Sequence, residues 1–161
     1  MASDHISSPQ QSIMPTTQLT IEITSFSYKS PLPTQLFSWE DGRHGGGFVF
    51  DCRSLPNPGR EESFRNKTGL DHVVQEYLEA SPQVPKFLEH VVGLVTDATQ
   101  SFLDRKFTFI TVGFGCTGGQ HRSVYCCEAL RQALQSRFGD KVRVLVYHPA
   151  LKDKGLLTCG P

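Results

Sequence analysis

The chain has 161 residues, 38% of them apolar and 20% charged, with a formal net charge of zero. That is enough to bury one core and too little for two, so a single domain with a single site is expected. The charge balance excludes a whole-molecule field that would draw nucleic acid or an anionic membrane, so any anion affinity must be local.

The five cysteines, Cys52, Cys116, Cys126, Cys127 and Cys159, are odd in number and show no CxxC spacing. They read as free thiols of a reducing compartment, not as a disulfide framework or zinc site, and no metal or cofactor is expected. No run approaches the roughly 20 apolar residues of a membrane span, and the opening "MASDHISSPQQSIMPTTQ" lacks the apolar segment of a secretory signal and the arginines of a mitochondrial presequence. A cytoplasmic protein without membrane contact is expected.

Residues 1–17, rich in Ser, Pro, Gln and Thr, are expected to stay a flexible tail. The domain proper is expected over 18–150 and a short tail over 151–161. In "QLTIEITSFSY", Leu19, Ile21 and Ile23 alternate with polar residues in the period of a half-buried strand. "KSPLPTQLFSWEDGRHGGG" holds too many breakers for regular structure and reads as a loop able to act as a lid. "GFVFDCR" is a continuous apolar strand ending in Asp51 and Arg53, and an irregular stretch follows it.

Asp71 is placed to cap a helix over "HVVQEYLEA". Beyond Pro82 and Pro85, Phe87, Leu88, Val91, Val92, Val95 and Ala98 recur at helical spacing. "FTFITVGFG" is a second apolar strand, Val124, Cys127, Leu130, Leu134 and Phe138 mark one face of a further helix, and "KVRVLVYH" is a last strand. The order β-β-α-α-β-α-β gives an α/β fold: a small layered sheet of about four strands with helices packed on it.

The stretch "GFGCTGGQHRSVY", Gly113 to Tyr125, is thus a strand-loop-helix junction. A glycine-rich turn at a helix start presents unpaired N–H groups and the positive end of the helix dipole, which favour a phosphate. Gly118 and Gly119 permit close backbone approach, while Thr117, Arg122 and Ser123 can add hydroxyl and charge contacts. His121, as a proton donor to phosphate, would titrate near neutrality.

Three signatures compete at this junction. Gly113, Gly115 and Gly118 satisfy the dinucleotide pattern G-x-G-x-x-G, but the next strand ends in Tyr147 and His148 with no acid for a ribose. A Walker A loop needs a lysine where Gln120-His121 stands. Cys116 to Ser123 reads C-x-x-G-x-x-R-S and resembles the cysteine-phosphatase loop, with Cys116 as nucleophile, Arg122 as phosphoryl clamp and Asp51 as general acid. The competing reading of Cys116 is a small residue in a tight turn.

"FDCRSLPNP", then "TGLD", then "GCTGGQHRSV", with "TSFSYK" ahead of them, resemble the C-terminal domain of the RNase adapter protein RapZ, where the same blocks occur in the same order. The resemblance implies a fold similar to a phosphofructokinase subdomain, self-association into a homo-oligomer, and non-catalytic binding of glucosamine-6-phosphate and small regulatory RNA. It assigns phosphate or sugar contacts to Thr117, Gly118, Gly119, Gln120, His121, Arg122 and Ser123, and places Asp51, Arg53 and Asn57 in the same cleft.

This chain departs from that pattern in three ways. The longer proteins carry a nucleotide-binding domain ahead of this one, and nothing like it precedes residue 18, so a stand-alone domain or one with a separate protein partner is expected. Gly59 and Arg60 replace a histidine and an aromatic after Asn57-Pro58, and Arg60 becomes a candidate anion contact, ahead of Arg65 and Lys67. The tail "HPALKDKGLLTCGP" has few cations, which argues against RNA as the main partner. Asp51 and Arg53, two apart on a strand end, should face opposite ways.

Overall fold

In a computed structural model the described residues are 18–34 and 46–157. The tail over 1–17 and most of the loop carrying Trp39 and Gly45 lie outside them. Four strands, β1 (Leu19–Ser27), β2 (Gly47–Asp51), β3 (Phe109–Cys116) and β4 (Val142–Tyr147), form one parallel sheet in the order β2-β3-β1-β4. The described residues also form helices α1 (His72–Glu79), α2 (Gln83–Asp104), α3 (Arg122–Phe138) and α4 (Pro149–Asp153), with short 3-10 turns between elements. The α/β class, the strand number and the order of the main elements are those expected from the sequence.

The strands divide by position in the sheet. β3 is buried along its whole length, as its apolar run predicts for a central strand covered on both faces. β1 is also central, so the polar Thr24, Ser25 and Ser27 are buried with Ile21 and Ile23, and its half-buried reading holds only at its start. β2 is the reverse case. Its apolar run suggests burial on both faces, but it is an edge strand with Val49 exposed and alternate residues half-buried.

On α3 the five expected positions, Val124, Cys127, Leu130, Leu134 and Phe138, are all buried against the sheet. Each such aliphatic or aromatic side chain contributes about 1.5–3 kcal/mol of transfer free energy. The first two turns are buried all round, including Arg122, Ser123, Tyr125 and Cys126, because α1 and the 52–69 segment cover their outer side. On α2, Val84, Val91, Val95 and Thr99 face the core.

Two local details differ from expectation. Asp71 stands at the α1 N-cap but makes no side-chain cap bond; its Oδ2 instead accepts from Thr68 N at 2.7 Å and Thr68 Oγ1 at 3.1 Å, closing the "TGLD" turn. The segment after β4 enters α4, with Pro149 at its first turn and Leu151 fully buried. Helix α4 therefore packs against β1, beside the glycine loop.

Candidate functional site

The loop 117–121 joins the C-terminal end of β3 to the first residue of α3, at the carboxyl edge of the sheet where open α/β sheets place ligands. Its backbone is fixed from beneath. Ser27 Oγ donates to Thr117 O at 2.8 Å, Tyr28 N to Cys116 O at 3.0 Å, and Gly69 N to Gln120 O at 2.9 Å. Gly119 has φ +63°, and a Cβ there would lie 2.7 Å from Ala150 Cβ and 3.0 Å from Ser27 N. Glycine is required twice over at this position, by the left-handed backbone and by contact with α4 and β1.

Gly115, just ahead of Cys116, is a glycine for want of room. The rings of Phe26 and Tyr28 fill that space, since a Cβ on Gly115 would stand 2.6 Å from Phe26.

A cavity of about 310 Å³ opens over the loop. Thr117, Gly118, Gln120, His121, Arg122 and Asn57 from the predicted set line it, together with Cys116. Lys29, Gly59 and Arg65 line it too. No Asp or Glu is part of that lining among the described residues, so the cavity is cationic in a chain with zero net charge. A larger cavity, about 860 Å³, opens near the amino ends of β1 and β3, but there Asp104 and Asp140 stand among Lys106 and Lys141 and their charges offset.

Arg122 is 5% exposed. Its Nη1 donates to Arg53 O at 2.9 Å and Leu55 O at 3.1 Å, and Nη2 to Thr117 Oγ1 at 3.4 Å. The guanidinium therefore fastens the 53–55 segment to the head of α3 while standing in the cavity wall. Gln120 is a clamp of the same kind. Its Nε2 donates to Arg65 O and Lys67 O, both at 2.8 Å, and its Oε1 accepts from Lys154 Nζ, which also donates to Gly118 O at 2.7 Å.

His121 is 8% exposed and its Nε2 donates to Phe64 O at 2.9 Å. Burial holds its pKa below the ordinary histidine value, with the nearby charges of Lys154 and Arg122 adding to the effect against hydrogen bonds to backbone carbonyls. The direction favours the neutral imidazole over the protonated donor considered from the sequence.

Asp51 and Arg53 do not point to opposite faces. The strand ends at Asp51, the chain turns, and Arg53 Nη2 meets Asp51 Oδ2 at 2.6 Å while its guanidinium lies 4.0 Å over the Tyr28 ring. The bond to Arg53 holds the Asp51 carboxyl below its usual range. Neither side chain lines the cavity, nor does Arg60, which is exposed. Ser123 is fully buried beneath the loop and outside that lining, and Gly119 is likewise turned towards α4.

Cys116 Sγ shares a 3.1 Å hydrogen bond with Ser123 Oγ. Burial pushes this thiol up, but bonds from the Ser123 hydroxyl, the Ser123 and Gln120 backbone N–H groups and the charge of Arg122 outweigh it and leave the pKa lowered. Among the described residues no group of three or more His, Cys, Asp or Glu side chains could hold a metal ion.

Sequence reasoning passed over Lys29 and Gly69 and ranked Arg65 behind Arg60, whereas Arg65 lines the cavity and Arg60 does not. A lone lysine after a strand carries no pattern, and nothing local separates one arginine of a charged loop from another. For Gly69, the "TGLD" block gave a signal without a role: a Cβ there would clash with the backbone of His121 and Tyr125, so this glycine lets the loop close on the head of α3.

The fold and this junction define a small parallel α/β domain with a cationic cavity at a glycine-rich helix start. Residues 19–152 match the RapZ C-terminal domain family, and the chain belongs to that family. Among curated relatives, a nucleotide-binding protein of Azoarcus sp. (strain BH72) is 38% identical over 130 residues, 81% of this chain and 40% of the relative. A nucleotide-binding protein of Acinetobacter baumannii is 36% identical over 124 residues, 77% and 40% of the two chains. One from Acidithiobacillus ferrooxidans is 37% identical over 140 residues, 87% and 42%. The chain thus spans about 40% of the length of these relatives.

Proposed function

We propose that this chain is a non-catalytic sensing domain that binds a phosphorylated small molecule over the 117–122 loop. The observation that carries the reading is the cavity itself, walled by Lys29, Arg65 and Arg122 at the start of α3, with no carboxylate in its lining among the described residues. Three permanent cations and a helix amino end favour a dianionic phosphate over any neutral ligand. The finer reading follows the resemblance alone: the ligand would be an amino sugar phosphate such as glucosamine-6-phosphate, with its occupancy relayed to a protein or RNA partner in the cytoplasm.

The test is calorimetric titration with inorganic phosphate and glucosamine-6-phosphate. Arg65→Ala and Lys29→Ala should each weaken binding about three- to tenfold, as expected for an exposed charge-assisted contact to phosphate. If no phosphorylated compound binds the wild-type protein, the reading fails.

A cysteine-dependent phosphatase is the second reading, favoured by the Cys116–Ser123 bond at the base of a C-x5-R-S loop. Its general-acid candidate does not support it, because Asp51 is outside the cavity lining among the described residues and its carboxyl is paired with Arg53. Hydrolysis of an aryl phosphate by the wild type, abolished in Cys116→Ser, would restore it.

A further inference from the structure

Four thiols are buried among the described residues, Cys52, Cys116, Cys126 and Cys127, and Cys116 alone of them lines the cavity. Its neighbour across the sheet is Cys52. β2 and β3 run parallel with Asp51 opposite Gly115, and Cys52 N donates to Gly115 O at 2.7 Å, so Cys52 stands beside Cys116 at the next register position. Adjacent strands lie about 4.8 Å apart and paired residues share a face. That spacing is within the Cα separation of about 4.4–6.8 Å that a disulfide requires.

Both side chains face α3. Cys116 Sγ rests on Ser123, and Cys52 interacts with Cys126, one turn further along the same helix. Their chemistry differs. The Cys116 thiol is held below its ordinary value by the loop, whereas the interaction with Cys126 and burial push Cys52 well up. Such a pair has one thiol poised to react with an oxidant and one that waits for the product.

We propose that Cys116 is a peroxide-oxidised thiol with Cys52 as its resolving partner, so that hydrogen peroxide or a small hydroperoxide closes a Cys52–Cys116 disulfide between β2 and β3 beneath the cavity. In the first step the Cys116 sulfur attacks a peroxide oxygen. The O–O bond breaks, an S–O bond forms, and the departing hydroxide takes up the proton the thiol released, leaving a sulfenic acid and water. In the second step the Cys52 sulfur attacks the Cys116 sulfur and gives up its proton. The S–O bond breaks, a second water leaves and the disulfide forms. An external dithiol reverses it and is itself oxidised.

The link reaches the cavity by a short route. Arg122 fastens the carbonyls of Arg53 and Leu55, immediately beyond Cys52, to the cavity wall. Drawing Cys52 and Cys116 together takes the Cys116 sulfur off Ser123 and displaces that segment.

The test is intact mass and peptide mapping of the full chain after brief treatment with hydrogen peroxide. The wild type should lose about 2 mass units through a link mapped to Cys52 and Cys116, and dithiothreitol should reverse it. In Cys52→Ser, or Cys52→Ala if the serine variant folds poorly, oxidation should stop at a Cys116 sulfenic acid that dimedone captures. In Cys116→Ser neither product should form. A link between other cysteines, or an unmodified Cys116 under conditions that oxidise an exposed model thiol, overturns the proposal. The readout is a mass, so it stands apart from the identity of any anionic ligand.

Discussion

Arg122 and Arg65 line the same cavity, but their surroundings assign them different work. Arg122 is buried and spends its guanidinium on two carbonyls of the 53–55 segment and on Thr117, so it belongs to the floor that holds the loop in shape. Arg65 is exposed, lines the cavity and is held in place through its carbonyl by Gln120. Buried cations that satisfy backbone carbonyls build a site, and exposed ones around its mouth meet the ligand. The two kinds of cation separate in experiment as stability against affinity.

The floor breaks most sharply at Gly119. Gly119→Ala places a side chain at φ +63° and 2.7 Å from Ala150 Cβ, with the β1 backbone close behind it. Strain and overlap together should cost about 3 kcal/mol, read as a shift of the urea midpoint with an unchanged slope. Gly118→Ala is the control. Its Cβ would meet Lys154 Nζ only at 3.6 Å, an ordinary contact, and its effect should be under about 1 kcal/mol.

The arginines test the comparison directly. Arg122→Ala leaves the carbonyl of Arg53 and that of the buried Leu55 without their donor and should destabilise by about 2–4 kcal/mol. Arg65→Ala should change stability by less than about 0.5 kcal/mol while weakening phosphate. Equal stability losses in the two variants would erase the distinction between floor and rim. Asp51→Asn, which weakens an exposed pair with Arg53, should cost about 1 kcal/mol at most and leave phosphate affinity unchanged.

The pattern of apolar residues carries the elements because burial on a helix face or a central strand repeats with the backbone's own period. β3 and α3 show this, as does the strand-loop-helix junction between them, whose glycines stand out in any reading of the chain. Edge against centre is a property of sheet order, which no local window contains; hence β2 looks like a buried strand and is not one. The site was legible where it is built from contiguous residues, at 116–122, and at Asn57 in the "FDCRSLPNP" block. Lys29 and Arg65 reach the cavity from other loops, and only tertiary contacts such as Gln120 to Arg65 O bring them there. Asp51 and Arg53 were misplaced for a local reason: the strand ends between them, so alternation no longer governs their directions.

The smallest expected effect is a pH dependence that belongs to the floor alone. His121 gives up hydration to reach Phe64 O, and its folded pKa is depressed below the unfolded value of about 6.5. Above that value His121 is neutral in both states and contributes no slope. As pH falls through 6.5 the unfolded chain takes up this proton first, so stability declines until the folded pKa is passed. The carboxyls with lowered pKa values, Asp51 and Glu128, act in the same direction but in a lower window, below their own unfolded values near 4. Urea titrations between pH 7.5 and pH 5.5, rounded to about one pH unit either side of 6.5, should therefore show a decline that His121→Gln removes. A slope that survives in the variant would place the titrating group elsewhere.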